Sequence, residues 1–351
     1  MRRPLSAATT AVVLGSALLL AACGPSDPPA EGGNTPADST EPTDAEESDV
    51  AFTNPVYDSN FPDPFVLRAD DHWYAYATQG TFGTFPILRS EDLVTWSVVG
   101  NGMPTLAPWT AAGRHWAPEV AKIGDRYLAY YTAMERETQQ QCLGVAVSDS
   151  PEGPFVDESE EPFICQFDEG GSIDASPFID ADGTPYLMWK NDGNHIGTRS
   201  WIYIQELAED GLSLVGDEPT SLITHDQDWE GDLVEGPFLW PRDGRYYLFY
   251  SANDYGSDAY GVSYAVAEDL LGPYTKPAEE PLMSSNDVAA GPGHGMVVET
   301  EGGTWYVHHS WPPDAVGSAV PGRQMWLTPL TWTEDGTPVL AEPAHDVETQ
   351  P

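Results

Sequence analysis

An all-β fold, a five-bladed β-propeller, is predicted by three features of the sequence. The first is an internal repeat: aligning Tyr74, Tyr127, Tyr186, Tyr247 and Tyr306 gives steps of 53, 59, 61 and 59 residues. The second is the content of each unit, which reads as an apolar strand, a tight turn and an aromatic strand. The clearest copy is Glu235-Gly-Pro-Phe-Leu-Trp, a turn at Asp243-Gly244, then Tyr246-Tyr-Leu-Phe-Tyr. The third is the lack of any useful helical period after residue 50. Repeats of this length with several short strands apiece indicate one four-stranded blade per unit. A two-sheet sandwich would not require five copies of one unit.

The other copies begin at Asp63-Pro-Phe-Val, Pro118-Glu-Val, Ser176-Pro-Phe-Ile and Gly293-His-Gly-Met-Val-Val. Later halves of matching flavour, at Ile87–Trp96, Gly144–Phe155 and Val262–Tyr274, supply outer hairpins. Residues 51–351 are therefore assigned to the propeller.

Residues 1–22 are excluded from the fold. Arg2 and Arg3 precede a short apolar run ending in Leu20-Ala-Ala-Cys23, which resembles the lipobox of bacterial lipoprotein signal peptides. The resemblance implies lipidation at Cys23, an extracellular location and a membrane attachment through lipid alone; the alternative is an ordinary secretory signal. Residues 23–50 then read as a tether. From residue 24 to 50 there are eight acidic and no basic residues and almost no large apolar ones, so the segment is expected to be disordered and extended.

Composition narrows the partners. A net charge of -42 opposes nucleic acid and anionic membrane surfaces and suits a neutral ligand. The 39 aromatic residues serve a propeller core and sugar-stacking platforms. A monomer is expected. Beyond Cys23 only Cys142 and Cys165 remain; in an exported protein a bridge between them is favoured over two free thiols. Neither a Cys-x-x-Cys nor a paired-His spacing accompanies them, which argues against zinc.

The inner strand of each blade lines the central channel, so residues at its head gather at one mouth. Three of the five repeats place a carboxylate there: Asp63, Asp174 and Glu235, respectively one, three and two residues before a proline. Singly, each has a bland explanation as a turn opener or an exposed acid. Together they repel, and at least one should ionise above its ordinary value, as an acid–base pair requires.

The segments Asn60-Phe-Pro-Asp-Pro-Phe-Val, His115-Trp-Ala-Pro-Glu-Val, Gly171-Ser-Ile-Asp-Ala-Ser-Pro-Phe and Leu233-Val-Glu-Gly-Pro-Phe together resemble the signatures of glycoside hydrolase family 43. That family consists of five-bladed propellers acting with inversion on arabinose- and xylose-containing polysaccharides. The resemblance spans Asn54 to about Leu340. It implies Asp63 as general base, Glu235 as general acid and Asp174 as the residue that raises the acid's pKa and holds it in place. It further implies that His294 faces the channel beside a cation, commonly calcium, whose shell water would complete. Arg323 would contact substrate hydroxyls, and Trp116 is a candidate stacking surface for a sugar ring. His308 and His309, adjacent on a strand and so facing opposite ways, are read as structural.

The implied function is an α-L-arabinofuranosidase acting on arabinan or arabinoxylan, with β-xylosidase and endo-arabinanase as near alternatives. A non-catalytic sugar-binding lipoprotein is the alternative of another class; a complete proton-transfer set disfavours it. No Asn-Asp-Pro-Asn segment marks the related fructan-cleaving propellers. From the lipobox resemblance, the protein is expected to partition with detergent and membranes, and Cys23→Ser should release it or leave it unprocessed. An intact mass showing an unmodified start at another residue would refute this.

Overall fold

A computed structural model describes residues 50–351. Cys23 and the proposed signal and tether lie outside these residues, apart from Val50. The described chain is five antiparallel sheets plus one two-stranded closure. After β1 (Phe52–Thr53), blade I holds β2 (Phe65–Ala69), β3 (His72–Tyr76), β4 (Pro86–Ser90) and β5 (Ser97–Asn101). Blade II holds β6 (Thr110–Ile123), β7 (Arg126–Glu135) and β8 (Gln141–Ser148). Blade III holds β9 (Ser172–Ile179), β10 (Pro185–Asn191), β11 (Trp201–Glu206) and β12 (Thr220–Thr224). Blade IV holds β13 (Val234–Arg242), β14 (Arg245–Ala252) and β15 (Gly261–Ala267). Blade V holds β16 (Ala290–Thr300), β17 (Gly303–Trp311), β18 (Gln324–Trp332) and β19 (Pro338–Leu340); β20 (Asp346–Val347) follows.

The five-bladed propeller is as expected, but two blades carry only three full strands. In blade II the fourth position is reduced to isolated bridges, Val147 with Val156 and Leu143 with Ile164. In blade IV, Val266 with Thr275 and Val262 with Met283 do the same. The cause is local: prolines 154 and 162, and 273, 277 and 281, interrupt those segments, and proline cannot donate to a ladder.

Why the repeat's second strand is so continuously aromatic becomes clear from its neighbours. Alternate residues of a strand leave by opposite faces, and both faces of a blade are covered. Tyr247 and Phe249 pack with Tyr306 and Val297 of blade V. Leu248 and Tyr250 pack with Phe178, Met188 and Ile204 of blade III. No face is left for water, so no polar alternation survives.

Closure of the circle joins the chain ends. Phe52 and Thr53 pair with Val347 and Asp346. The Asn54 side-chain amide donates to Leu327 O and Ala344 O at 3.0 Å each and accepts from Leu327 N at 2.9 Å, fastening the start of the domain to blade V.

Cys142 of β8 and Cys165 are bonded, across a sequence separation of 23. A loop of this size contributes about 3 kcal/mol by restricting the unfolded chain. Reduction, or replacement of both cysteines by alanine, is expected to lower the melting temperature by about 5 °C, and the denatured, unreduced domain should titrate no free thiol. Two reactive thiols in the denatured, unreduced domain would contradict the bridge.

Candidate active site

At the head of every inner strand stands one residue in the left-handed region: Asp63 (φ 55°), Ala117 (φ 41°), Asp174 (φ 57°), Gly236 (φ 55°) and His294 (φ 42°). In blades II to V the ladder slips there, between Trp116 and Glu119, opposite Met188 to Lys190, between Glu235 and Phe238, and between Gly293 and Met296. Such bulges re-aim a side chain, here into the channel. For a non-glycine residue this conformation costs about 1–2 kcal/mol and persists only where the surroundings impose it. Blade IV has glycine because a Cβ on Gly236 would come within 3.1 Å of the His294 ring.

The surroundings that impose it are hydrogen bonds from the preceding blade. Each left-handed residue has a buried backbone N–H that must be satisfied. Ala117 N donates to Thr78 Oγ1 (2.8 Å), Asp174 N to Thr132 Oγ1 (3.1 Å), His294 N to Ser251 Oγ (2.7 Å) and Asp63 N to His309 Nδ1 (3.2 Å). Gly236 N donates instead to Asp174 Oδ2 at 3.0 Å.

The three carboxylates differ sharply in company. Arg323 donates from NH1 to Asp63 Oδ1 at 2.6 Å, and Thr78 donates from Oγ1 to Asp63 Oδ2 at 2.6 Å. Burial alone would push Asp63 up; the guanidinium first, then His294, whose Nδ1 lies 3.5 Å from Oδ1, hold it well below the usual carboxylate range. Asp174 goes the other way: burial and the charges of Glu235 and Asp63 push it up to about 6 against the pull of His294 and Lys190. Glu235 is held by two donors, Tyr260 OH to Oε1 at 2.8 Å and Lys190 Nζ to Oε2 at 3.2 Å; Lys190 also lies 3.7 Å from Asp192 Oδ1.

These groups open into one pocket of about 140 Å³, whose lining includes Asp63, Asp174, Glu235, Trp116, His294 and Arg323. All six residues expected at the site thus converge. Two residues have partners that the sequence does not reveal. Arg323 is bonded to Asp63 itself, with its guanidinium 4.8 Å over the Tyr255 ring. His309, expected to be structural, accepts the Asp63 N–H and stacks on Tyr260, with ring centroids 5.8 Å apart and planes 3° apart. The two histidines do face opposite ways: His308 pairs with Thr328 Oγ1 at 2.9 Å.

Thr78, Ile173, Lys190, Tyr255 and Tyr260 were not anticipated. A loose cue exists for Lys190 and His309: Thr78, Thr132, Lys190, Ser251 and His309 lie 4, 5, 4, 4 and 3 residues after the aligned tyrosines, and two of them depart from Thr or Ser, but only the strand pairing makes them equivalent. Tyr255, in a loop, has no such cue.

The cation expected beside His294 was one whose shell water would complete. Among the described residues no group of three or more His, Cys, Asp or Glu side chains is arranged to hold a metal ion. His294 Nδ1 faces Asp63 and Asp174, at 3.5 and 4.0 Å.

The sequence profile of glycosyl hydrolases family 43 matches residues 52–338. A β-D-galactofuranosidase of Aspergillus niger is 30% identical over 74% of this chain and 76% of its own. A xylosidase/arabinosidase of Butyrivibrio fibrisolvens is 26% identical over 83% of this chain, which spans 56% of the relative's length. The crystal structure of a thermostable family-43 glycoside hydrolase superposes with a TM-score of 0.76 at 33% identity, covering 86% of this chain and 98% of that one.

The elevated Asp174 has a consequence for stability. Its folded value near 6 exceeds the unfolded value of about 4, so its ionisation opposes folding. This penalty is absent below about pH 4, grows between about 4 and 6, and is complete above. Asp174→Asn keeps an acceptor for Gly236 N–H and should be more stable than the parent by about 1–3 kcal/mol at pH 7–8, with no difference at pH 4. Denaturant unfolding at both pH values checks this; equal gains at both would refute it.

Proposed function

The chain belongs to glycosyl hydrolase family 43, and we propose that it is an inverting, exo-acting glycosidase releasing single α-L-arabinofuranosyl units from arabinan- or arabinoxylan-type chains. The observation that carries this reading is three buried carboxylates in one pocket with different donors: Arg323 and Thr78 on Asp63, Lys190 and Tyr260 on Glu235, and Gly236 N–H on Asp174. Such divergence is how a site divides proton-transfer roles among like groups. A module that only binds sugar has no use for it.

Asp63 is kept ionised by Arg323 and oriented by Thr78, which suits a base that takes a proton from water. Glu235, in the lining of the same pocket, serves as the proton donor to the leaving oxygen. Asp174 holds the backbone immediately after it through Gly236 N–H, so the donor cannot drift along its strand. An inverting enzyme needs space for one water between base and sugar. The aromatic face of Trp116 and the apolar Ile173 in the lining suit the flat, C–H-rich side of a sugar ring.

Pocket size supports exo action. Sites for drug-sized ligands run roughly 300–1,000 Å³; about 140 Å³ suits a single sugar ring. A pentofuranose is favoured over a hexofuranose for the same reason. The Aspergillus relative is named for a furanoside, which supports a five-membered ring. The Butyrivibrio relative, named for both sugars, keeps β-xylosidase as the second reading. With Cys23 lipidated, the enzyme would work outside the cell at the end of its acidic tether.

Turnover on 4-nitrophenyl α-L-arabinofuranoside should exceed that on the β-D-xylopyranoside and β-D-galactofuranoside; a preference for xylopyranoside would move the assignment to the second reading. A sugar leaving group needs a proton and a nitrophenolate scarcely does. Glu235→Ala should therefore lose several orders of magnitude on arabino-oligosaccharides and far less on the aryl glycoside, whereas Asp63→Ala should lose comparably on both. Equal impairment of Glu235→Ala on the two substrates, or an active Asp63→Ala, would overturn the roles.

A further inference from the structure

The second strands of the five blades share one structural position, opposite the residue that precedes the left-handed one, occupied by Thr78, Thr132, Lys190, Ser251 and His309. All are buried, from 0% to 8% exposed. At three of them a hydroxyl accepts the N–H of the left-handed residue in the next blade, and that is its constant duty. The exceptions fall in the blades preceding the two proton-transfer residues. Lys190 of blade III lies ahead of Glu235 in blade IV, and His309 of blade V lies ahead of Asp63 in blade I.

Lysine has no acceptor, so it cannot perform the constant duty. Gly236 N–H turns to Asp174 Oδ2 instead, and the Lys190 ammonium reaches past the bulge to Glu235 Oε2 at 3.2 Å. Histidine retains an acceptor. Burial, reinforced by the Arg323 cation, holds His309 down to about 3, so its ring stays neutral and Nδ1 remains available to Asp63 N–H. Its ring also lies flat against Tyr260, the second donor to Glu235. A threonine or serine would satisfy Asp63 N–H without supplying that flat surface.

We propose that Lys190 and His309 are positioning residues for the general acid and the general base respectively. Lys190 fixes the Glu235 carboxyl and stabilises the charge that appears on it as its proton passes to the leaving oxygen. His309 fixes the backbone of Asp63 in its left-handed conformation. Charge developing in a buried site is stabilised most by a donor already in place, and at 1% exposure Lys190 has little water to compete with it. The proposal rests on the acid and base assignments made above.

The test uses the ratio of turnover on an arabino-oligosaccharide to turnover on 4-nitrophenyl α-L-arabinofuranoside, measured in one sample so that any misfolded fraction cancels. Lys190→Met should lower that ratio by about tenfold or more, because it acts through the proton donor. His309→Val should lower turnover on both substrates equally by about tenfold or more, and His309→Asn, which restores an acceptor oxygen, should recover most of the loss. An unchanged ratio for Lys190→Met, or a His309→Asn no better than His309→Val, would reduce that residue to a structural role. Glu235→Ala is the control. If it collapses the ratio while Lys190→Met does not, only this inference fails; if it leaves the ratio unchanged, the acid assignment fails and the inference falls with it.

Discussion

The structure depends on one constraint: a residue held in the left-handed conformation at the head of each inner strand. Five such residues ring the mouth of the channel, four of them non-glycine and therefore strained. The conformation turns the local side chain inward, which is how Asp63, Asp174 and His294 face one another across 3.5 to 4.0 Å. It also leaves a buried N–H that the strand's own ladder does not take up. The blade before it supplies the acceptor, so catalytic geometry and blade-to-blade packing are the same set of hydrogen bonds.

Burying three carboxylates at one mouth demands compensation, because isolated buried charge is costly. The compensation is unequal. Asp63 receives Arg323 and Glu235 receives Lys190 in direct contact, whereas Asp174 has His294 at 4.0 Å and Lys190 only from further off. That inequality pushes Asp174 up while Asp63 is held down. With only 14 basic residues against 56 acidic in the chain, two of the few cations are committed to this mouth, and the surrounding acidic surface is left to water.

The fold and the three carboxylates were legible from the chain alone, since both are written in contiguous stretches. Tyrosine spacing carries the blade count, and each carboxylate sits beside its own proline. The repeat alone does not reveal that blades II and IV lack a full fourth strand, because prolines at 154, 162, 273, 277 and 281 interrupt those segments. The contact of His309 with Asp63 is not legible in the chain, because strand alternation tells which way a side chain leaves but not what it meets.

What meets what was decided by closure of the circle. Arg323 reaches Asp63 across 260 residues, and His309 reaches it across 246, because blade V comes round to lie against blade I. Lys190 reaches Glu235 across 45, from one blade to the next. The sequence by itself determined which groups stand at the channel mouth, since backbone period and local motif need no distant partner. Only the tertiary structure decided how each would ionise, because that is set by the charges and donors which neighbouring blades bring within a few ångströms.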